Sequence, residues 1–122
     1  MQQGRLLLVD DAARSIRLLA KMLNEDGYAV DVCYDGMSAI RRLESAPLPS
    51  MIITDLLMPG AHGLTVARTA RRLRPEIPLL LITGYPELLP VALNDLTPHP
   101  LVHPKPIDYA KLRGQVRQFV QP

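Results

Sequence analysis

Short, unbroken apolar runs recur along this 122-residue chain, and each stops at a residue suited to polar chemistry. Leu6-Leu7-Leu8-Val9 runs into Asp10-Asp11, and Met51-Ile52-Ile53-Thr54 into Asp55. Leu79-Leu80-Leu81-Ile82 runs into Thr83-Gly84, and Leu101-Val102-His103-Pro104 into Lys105-Pro106. Runs this short, with no helical period, suit strands buried on both faces, which belong to parallel sheets covered by helices. Residues 28–34 alternate partly and carry Asp31, as an edge strand would.

The intervening stretches read as helices. Ile16, Leu19, Ala20 and Leu23 share one helical face, as do Ala39, Ile40 and Leu43. Residues 64–73 give a third helix, and residues 109–120 a last one with Leu112, Val116, Phe119 and Val120 facing inward. Of the 12 prolines, eight fall between Pro75 and Pro106, which cuts the second half into short elements. The helix expected over residues 86–96 is therefore short, with Pro90 in its first turn or kinking it. Five strands alternating with five helices predict an α/β, doubly wound parallel sheet with helices on both faces.

A chain of 122 residues is near the modal size of one domain, so residues 1–122 are expected to form a single domain. The formal net charge of +2 is too small to argue for nucleic acid, and none is expected as a partner. No apolar stretch approaches the roughly 20 residues of a membrane span, and the N-terminal run is too short for a secretory signal. Cys33 stands alone, so it forms no intramolecular disulfide; it reads as a small buried residue in a reducing, cytoplasmic setting.

Neighbouring parallel strands bring their carboxyl ends to one edge, where open α/β sheets bind ligands. Three carboxylates, a hydroxyl and an ammonium would then meet in one crevice. Asp10 or Asp11 can cap the following helix, but one aspartate suffices for that. Two adjacent carboxylates repel, and a divalent cation such as Mg²⁺ resolves the conflict. An aspartate can accept a phosphoryl group as an acyl phosphate, a transfer that depends on positioning and charge neutralisation. In that chemistry Asp55 is the acceptor, Lys105 a point charge for phosphoryl oxygens and Thr83 a hydroxyl donor. Thr83 before Gly84 also suits a simple hydroxyl–backbone turn.

These stretches resemble the receiver domains of bacterial two-component response regulators over essentially the whole chain. The resemblance rests on Leu8-Val9-Asp10-Asp11, Thr54-Asp55-Leu56-Leu57-Met58-Pro59-Gly60 with Gly63, Ile82-Thr83-Gly84, and Lys105-Pro106. It implies a flavodoxin-like sheet of strand order 2-1-3-4-5 and a phosphorelay role. Asp55 would be phosphorylated by a histidine kinase or phosphotransfer protein. Mg²⁺ would be held by Asp10, Asp11, Asp55 and the Leu57 backbone carbonyl. Thr83 would be the switch hydroxyl, Lys105 the site's cation, and the Lys105–Pro106 peptide cis. A downstream protein would read the switched surface; its identity is not encoded in these motifs.

Departures from the pattern concern output. Val102 occupies the usual aromatic switch position, three residues before Lys105. Thr97-Pro98-His99-Pro100 replaces the usual Gly-Ala segment. An alternative reading is therefore a receiver-fold interaction module with a fixed, phosphorylation-independent surface. A small phosphatase using Asp55 as nucleophile is a third, opposed by the absence of a general acid at Leu57. His62, His99 and His103 lack ligand spacing and read as loop or strand-end residues. Arg68, Arg71, Arg72 and Arg74 read as a basic helix end that complements the helix dipole.

Overall fold

A computed structural model describes residues 4–58, 62–88 and 95–122. Its strands are β1 (Arg5–Val9), β2 (Ala29–Cys33), β3 (Met51–Asp55), β4 (Leu79–Thr83) and β5 (Leu101–Pro104). They form one sheet of order β2-β1-β3-β4-β5, with every pairing parallel. Leu6 registers with Val30 and Met51, Ile53 with Leu80, and Ile82 with His103. Strands β3 and β4 are buried at every residue, as their unbroken apolar runs require.

Among the described residues four α-helices cover the sheet: α1 (Ala13–Glu25), α2 (Gly36–Leu43), α3 (Gly63–Leu73) and α4 (Tyr109–Arg117). Alternate strand residues feed two cores. Leu6, Leu8, Ile53 and Leu80 pack with Ile16, Leu19 and Leu23 of α1 and Leu112 and Val116 of α4. On the opposite face Leu7, Ile52 and Leu81 pack with Ala39 and Leu43 of α2 and Val66 and Ala70 of α3. Asp35 starts α2 by accepting the Ser38 N–H at 2.7 Å, and Asp108 starts α4 by accepting that of Lys111. Gly27, at φ +101°, follows the end of α1 in the left-handed region that favours glycine.

Three expectations change. Helix α4 stops at Arg117 rather than continuing to Val120, and Phe119 is 53% exposed instead of facing inward. Val120 remains buried, and its carbonyl accepts the Tyr28 hydroxyl at 2.9 Å, which fixes the turn that throws Phe119 outward. Helix α1 begins at Ala13, after an Ala12 cap without a side-chain bond. Of the helix expected over residues 86–96, Pro86–Leu88 is a single 3₁₀ turn, while residues 89–94, including Pro90, lie outside the described residues.

Candidate functional site

The carboxyl ends of β1, β3, β4 and β5 bring the sequence-predicted residues to one edge of the sheet. Carboxylate oxygens of Asp10, Asp11 and Asp55 lie within 4.8 Å of one another. Asp10 and Asp55 are buried and Asp11 is exposed, so the cluster opens to solvent on one side. Lys105 reaches in from the end of β5, its Nζ 2.8 Å from Asp55 Oδ2. The Lys105–Pro106 peptide is cis.

Each group is set by its backbone. Asp10 follows β1 directly, and its N–H donates to the Cys33 carbonyl at 3.1 Å, continuing the ladder with β2. Its Oδ1 accepts the Ala12 N–H at 2.9 Å, a local turn before α1; the cap of that helix is Ala12, so neither aspartate caps it as expected. Asp55 is the last residue of β3, and the Leu56 carbonyl just after it accepts the Gly63 N–H at 3.0 Å. A Cβ on Gly63 would sit 2.0 Å from the Asp55 carbonyl oxygen, so α3 can start here only on a residue without one. Thr83 is buried, and its Oγ1 accepts the Tyr85 N–H at 2.9 Å, which is the hydroxyl–backbone turn. The hydroxyl proton is left to donate elsewhere.

The electrostatics follow from crowding. Burial raises the pKa of Asp10, the Ala12 N–H opposes that, and the negative fields of Asp55 and Asp11 add to the rise. Burial works against the Lys105 ammonium, but its bond to Asp55 and the fields of the three aspartates outweigh burial and raise its pKa. A single ammonium thus faces three clustered carboxylates. Hard oxygen donors gathered in excess negative charge, with an open side for waters, fit a small divalent cation.

Two exposed residues stand two positions after Asp55 and after Thr83. Leu57 is 49% exposed and Tyr85 54% exposed, and the Leu57 N–H points to Asp55 Oδ1 at 3.4 Å. Val102 is half-buried and packs against the core on the α2–α3 face. Its carbonyl accepts from Gln115 Nε2 at 3.1 Å.

Sequence reasoning missed two features. His103 lies in β5 as read, but its burial and bonding were not foreseen: Asp108 N–H donates to its Nε2 at 3.1 Å, which leaves Nδ1 to donate to Gln115 Oε1 at 2.8 Å. It ties β5 to the start of α4. An apolar groove of about 700 Å³ also adjoins the site, walled by Leu18, Met22, Ile107 and Tyr109 and ending at Asp10 and Lys105. Its one sequence signal is Leu18, an apolar residue off the buried stripe of α1 and 59% exposed.

Among known proteins, the family described as the response regulator receiver domain matches residues 6–116. The receiver protein CpdR of Brucella abortus is 38% identical over 90 residues, covering 74% of this chain and 72% of that protein. The transcriptional regulatory protein TctD of Salmonella typhimurium is 32% identical over 123 residues, covering 96% of this chain but only 52% of TctD. A solved receiver protein from Sinorhizobium medicae superposes with a TM-score of 0.87 at 28% identity, over 97% of this chain and 94% of that one.

Proposed function

Because this chain belongs to the response regulator receiver domain family, we propose that Asp55 accepts a phosphoryl group from a histidine kinase or phosphotransfer protein in a two-component phosphorelay. Receiver domains are signalling phosphoacceptors rather than turnover enzymes. The observation that carries the reading is the set of three aspartate carboxylates within 4.8 Å, with one of them 2.8 Å from the Lys105 ammonium. A structural ion pair needs one acid for one base.

The chemistry is a displacement at phosphorus. An Asp55 oxygen forms the new P–O bond while the bond to the donor nitrogen or oxygen breaks, and the product is an acyl phosphate. Asp10, Asp11, Asp55 and the Leu57 carbonyl would hold Mg²⁺, which supplies charge neutralisation at the carboxylates and phosphoryl oxygens. The Lys105 ammonium, freed from its bond to Asp55, would turn to a phosphoryl oxygen as a positioned charge. The Thr83 hydroxyl would donate to another, and this drives the switch. Val102 has no long side chain to swing outward, so output passes through the β4–β5 connection rather than an aromatic rotamer. The groove beside Asp10 and Lys105 suits an amphipathic helix of the phosphodonor, whose reactive side chain would then face Asp55. We place the protein in the cytoplasm, as one receiver over residues 1–122; no helix among the described residues is long and apolar enough to cross a membrane.

Incubation with acetyl phosphate and Mg²⁺, followed by intact-mass measurement, tests this reading. One phosphoryl group is expected on the wild type, and none on Asp55→Asn or after chelation. Labelling of the Asn variant at another residue would overturn the assignment.

A further inference from the structure

Far along α3 from its start beside Asp55, a second polar pocket of about 310 Å³ is lined by Arg68, Arg71, Arg72, Asp95 and Leu96. Positions 68, 71 and 72 are spaced three and four apart, so a helix brings their guanidinium groups to one face. Asp95 pairs with Arg68, its oxygens 2.8 Å from Nε and 3.3 Å from Nη2. Among the described lining residues, two positive charges are left without an acid. Arg72 Nη2 only donates to the Thr69 hydroxyl, at 3.3 Å.

Arg71 is the informative member. Its Nε donates to the Ile77 carbonyl at 2.9 Å, which pins the plane of the guanidinium. Its Nη1 is buried, with no hydrogen-bond partner among the described residues. Burial lowers its pKa, yet an arginine stays charged at neutral pH. Complementing a helix dipole explains cations in a last turn. It does not explain a pinned guanidinium with a buried N–H that lacks an acceptor, an arrangement native proteins rarely leave without a reason.

We propose that this pocket binds a phosphomonoester, with Arg71 and Arg72 as its principal donors. A phosphomonoester carries about −1.5 to −2 charge at neutral pH, matching the two uncompensated guanidinium groups. Planar guanidinium forks suit its oxygens, and a carboxylate brings only half the charge. An oxygen reaches the buried Arg71 Nη1 only if a neighbouring side chain moves, and Arg72 beside it is exposed. The ligand is free phosphate or a phosphorylated side chain or metabolite, and the site is separate from Asp55.

The test is a backbone-amide and arginine Nε–H NMR titration of the full chain. Chelator is present so that the aspartate cluster takes no part. Inorganic phosphate, O-phosphoserine and acetate are added in turn at constant ionic strength. Saturable shifts at Arg68, Arg71, Arg72 and Leu96 are expected with both phosphates and not with acetate. Arg71→Gln should weaken binding about tenfold or more. Arg72→Gln, at an exposed position that leaves the core intact, should do likewise. Tighter binding of phosphoserine than of phosphate would identify a phosphorylated ligand; equal binding would identify the free ion. Equal shifts with acetate, unsaturable shifts, or unchanged binding in both variants would overturn the proposal.

Discussion

Strand β1 begins at one group of charges and ends at another, and the two are built on opposite terms. At its start Asp31 lies between two arginines, 3.2 Å from Arg5 and 3.0 Å from Arg42. At its end Asp10 stands with Asp11 and Asp55 around one lysine. The first group is complete within the chain: an acid satisfied by bases on β1 and α2. The second is incomplete, since burial and like charge raise the Asp10 pKa, opposed by the Ala12 N–H and by Lys105, the one cation set against the three acids among the described residues. A folded protein tolerates such a conflict where something from outside resolves it, and here a cation and a phosphoryl group would do so.

The largest expected effect separates the two groups directly. Asp11→Asn removes one charge from the incomplete cluster at an exposed position with little packing. Phosphorylation by acetyl phosphate should slow by about 100-fold, the scale on which one electrostatic contact to the transition state acts. The rise in melting temperature on adding Mg²⁺ should shrink, since a ligand that binds the native state stabilises it by mass action. Without the metal, stability should not fall, because repulsion has been relieved. A variant destabilised in chelator but phosphorylated at the normal rate would make the cluster structural after all.

Much of this architecture is legible in the sequence for a physical reason. A strand buried on both faces needs an unbroken apolar run, and β1, β3 and β4 have one. The first polar residue after each run then marks the sheet's carboxyl edge, so Asp10, Asp55 and Thr83 could be placed there from spacing alone. Helix ends are less legible. Phe119 fits the inward stripe of α4, but the Tyr28 hydroxyl on the Val120 carbonyl decides where the chain turns, across 92 residues of sequence. The groove beside the site was invisible for a similar reason. Tyr109 reads as the start of a helix, and only the fold sets it and Ile107 opposite Leu18 and Met22.

A smaller effect probes the mouth of the incomplete cluster. Hydrolysis of an acyl phosphate on Asp55 requires a water in line with phosphorus, and the receiver family's pattern sets the residues two after the acceptor Asp and two after the switch Thr, here exposed Leu57 and Tyr85, along that approach. Neither offers an acid or amide to orient that water, so the phosphorylated state should be long-lived. Losing one water-positioning hydrogen bond, about 1–2 kcal/mol, slows hydrolysis roughly 5–30-fold. The double variant Leu57→Asn, Tyr85→Glu should shorten the lifetime by that factor when acyl-phosphate decay is followed by mass. An unchanged lifetime would remove these side chains from its control.

At the complete group the prediction reverses. Asp31→Asn breaks two half-exposed ion pairs, each worth up to about 1 kcal/mol, and leaves Arg5 and Arg42 in reach of water. Urea denaturation should show a loss of this size, shrinking as salt is added. Phosphorylation should proceed at the wild-type rate. A slowed rate would show that charge at the start of β1 reaches the crevice at its end.

The smallest effect concerns Asp26, another satisfied acid. The Tyr109 hydroxyl donates to it, and Arg113 Nη1 lies 3.4 Å away. The bond from Tyr109 is the main cause that holds its carboxyl below the ordinary value of 3.8, with Arg113 adding to it. A carboxyl depressed in the folded state gives stability that is fully present above the unfolded pKa and lost as pH falls through the folded one. Tyr109→Phe removes the main cause, so the variant's deficit should be present at neutral pH and vanish on acidification below both values. Solvent screening keeps the difference small, because the Asp26 carboxylate is near the surface. Urea midpoints of wild type and variant, measured at pH 7 and then stepwise downward from the unfolded value of 3.8, provide the comparison. The two curves should converge in acid. A gap that stays constant across this range would mean that Tyr109 acts through packing in the groove, and that Asp26 is no more tightly held than a solvated acid.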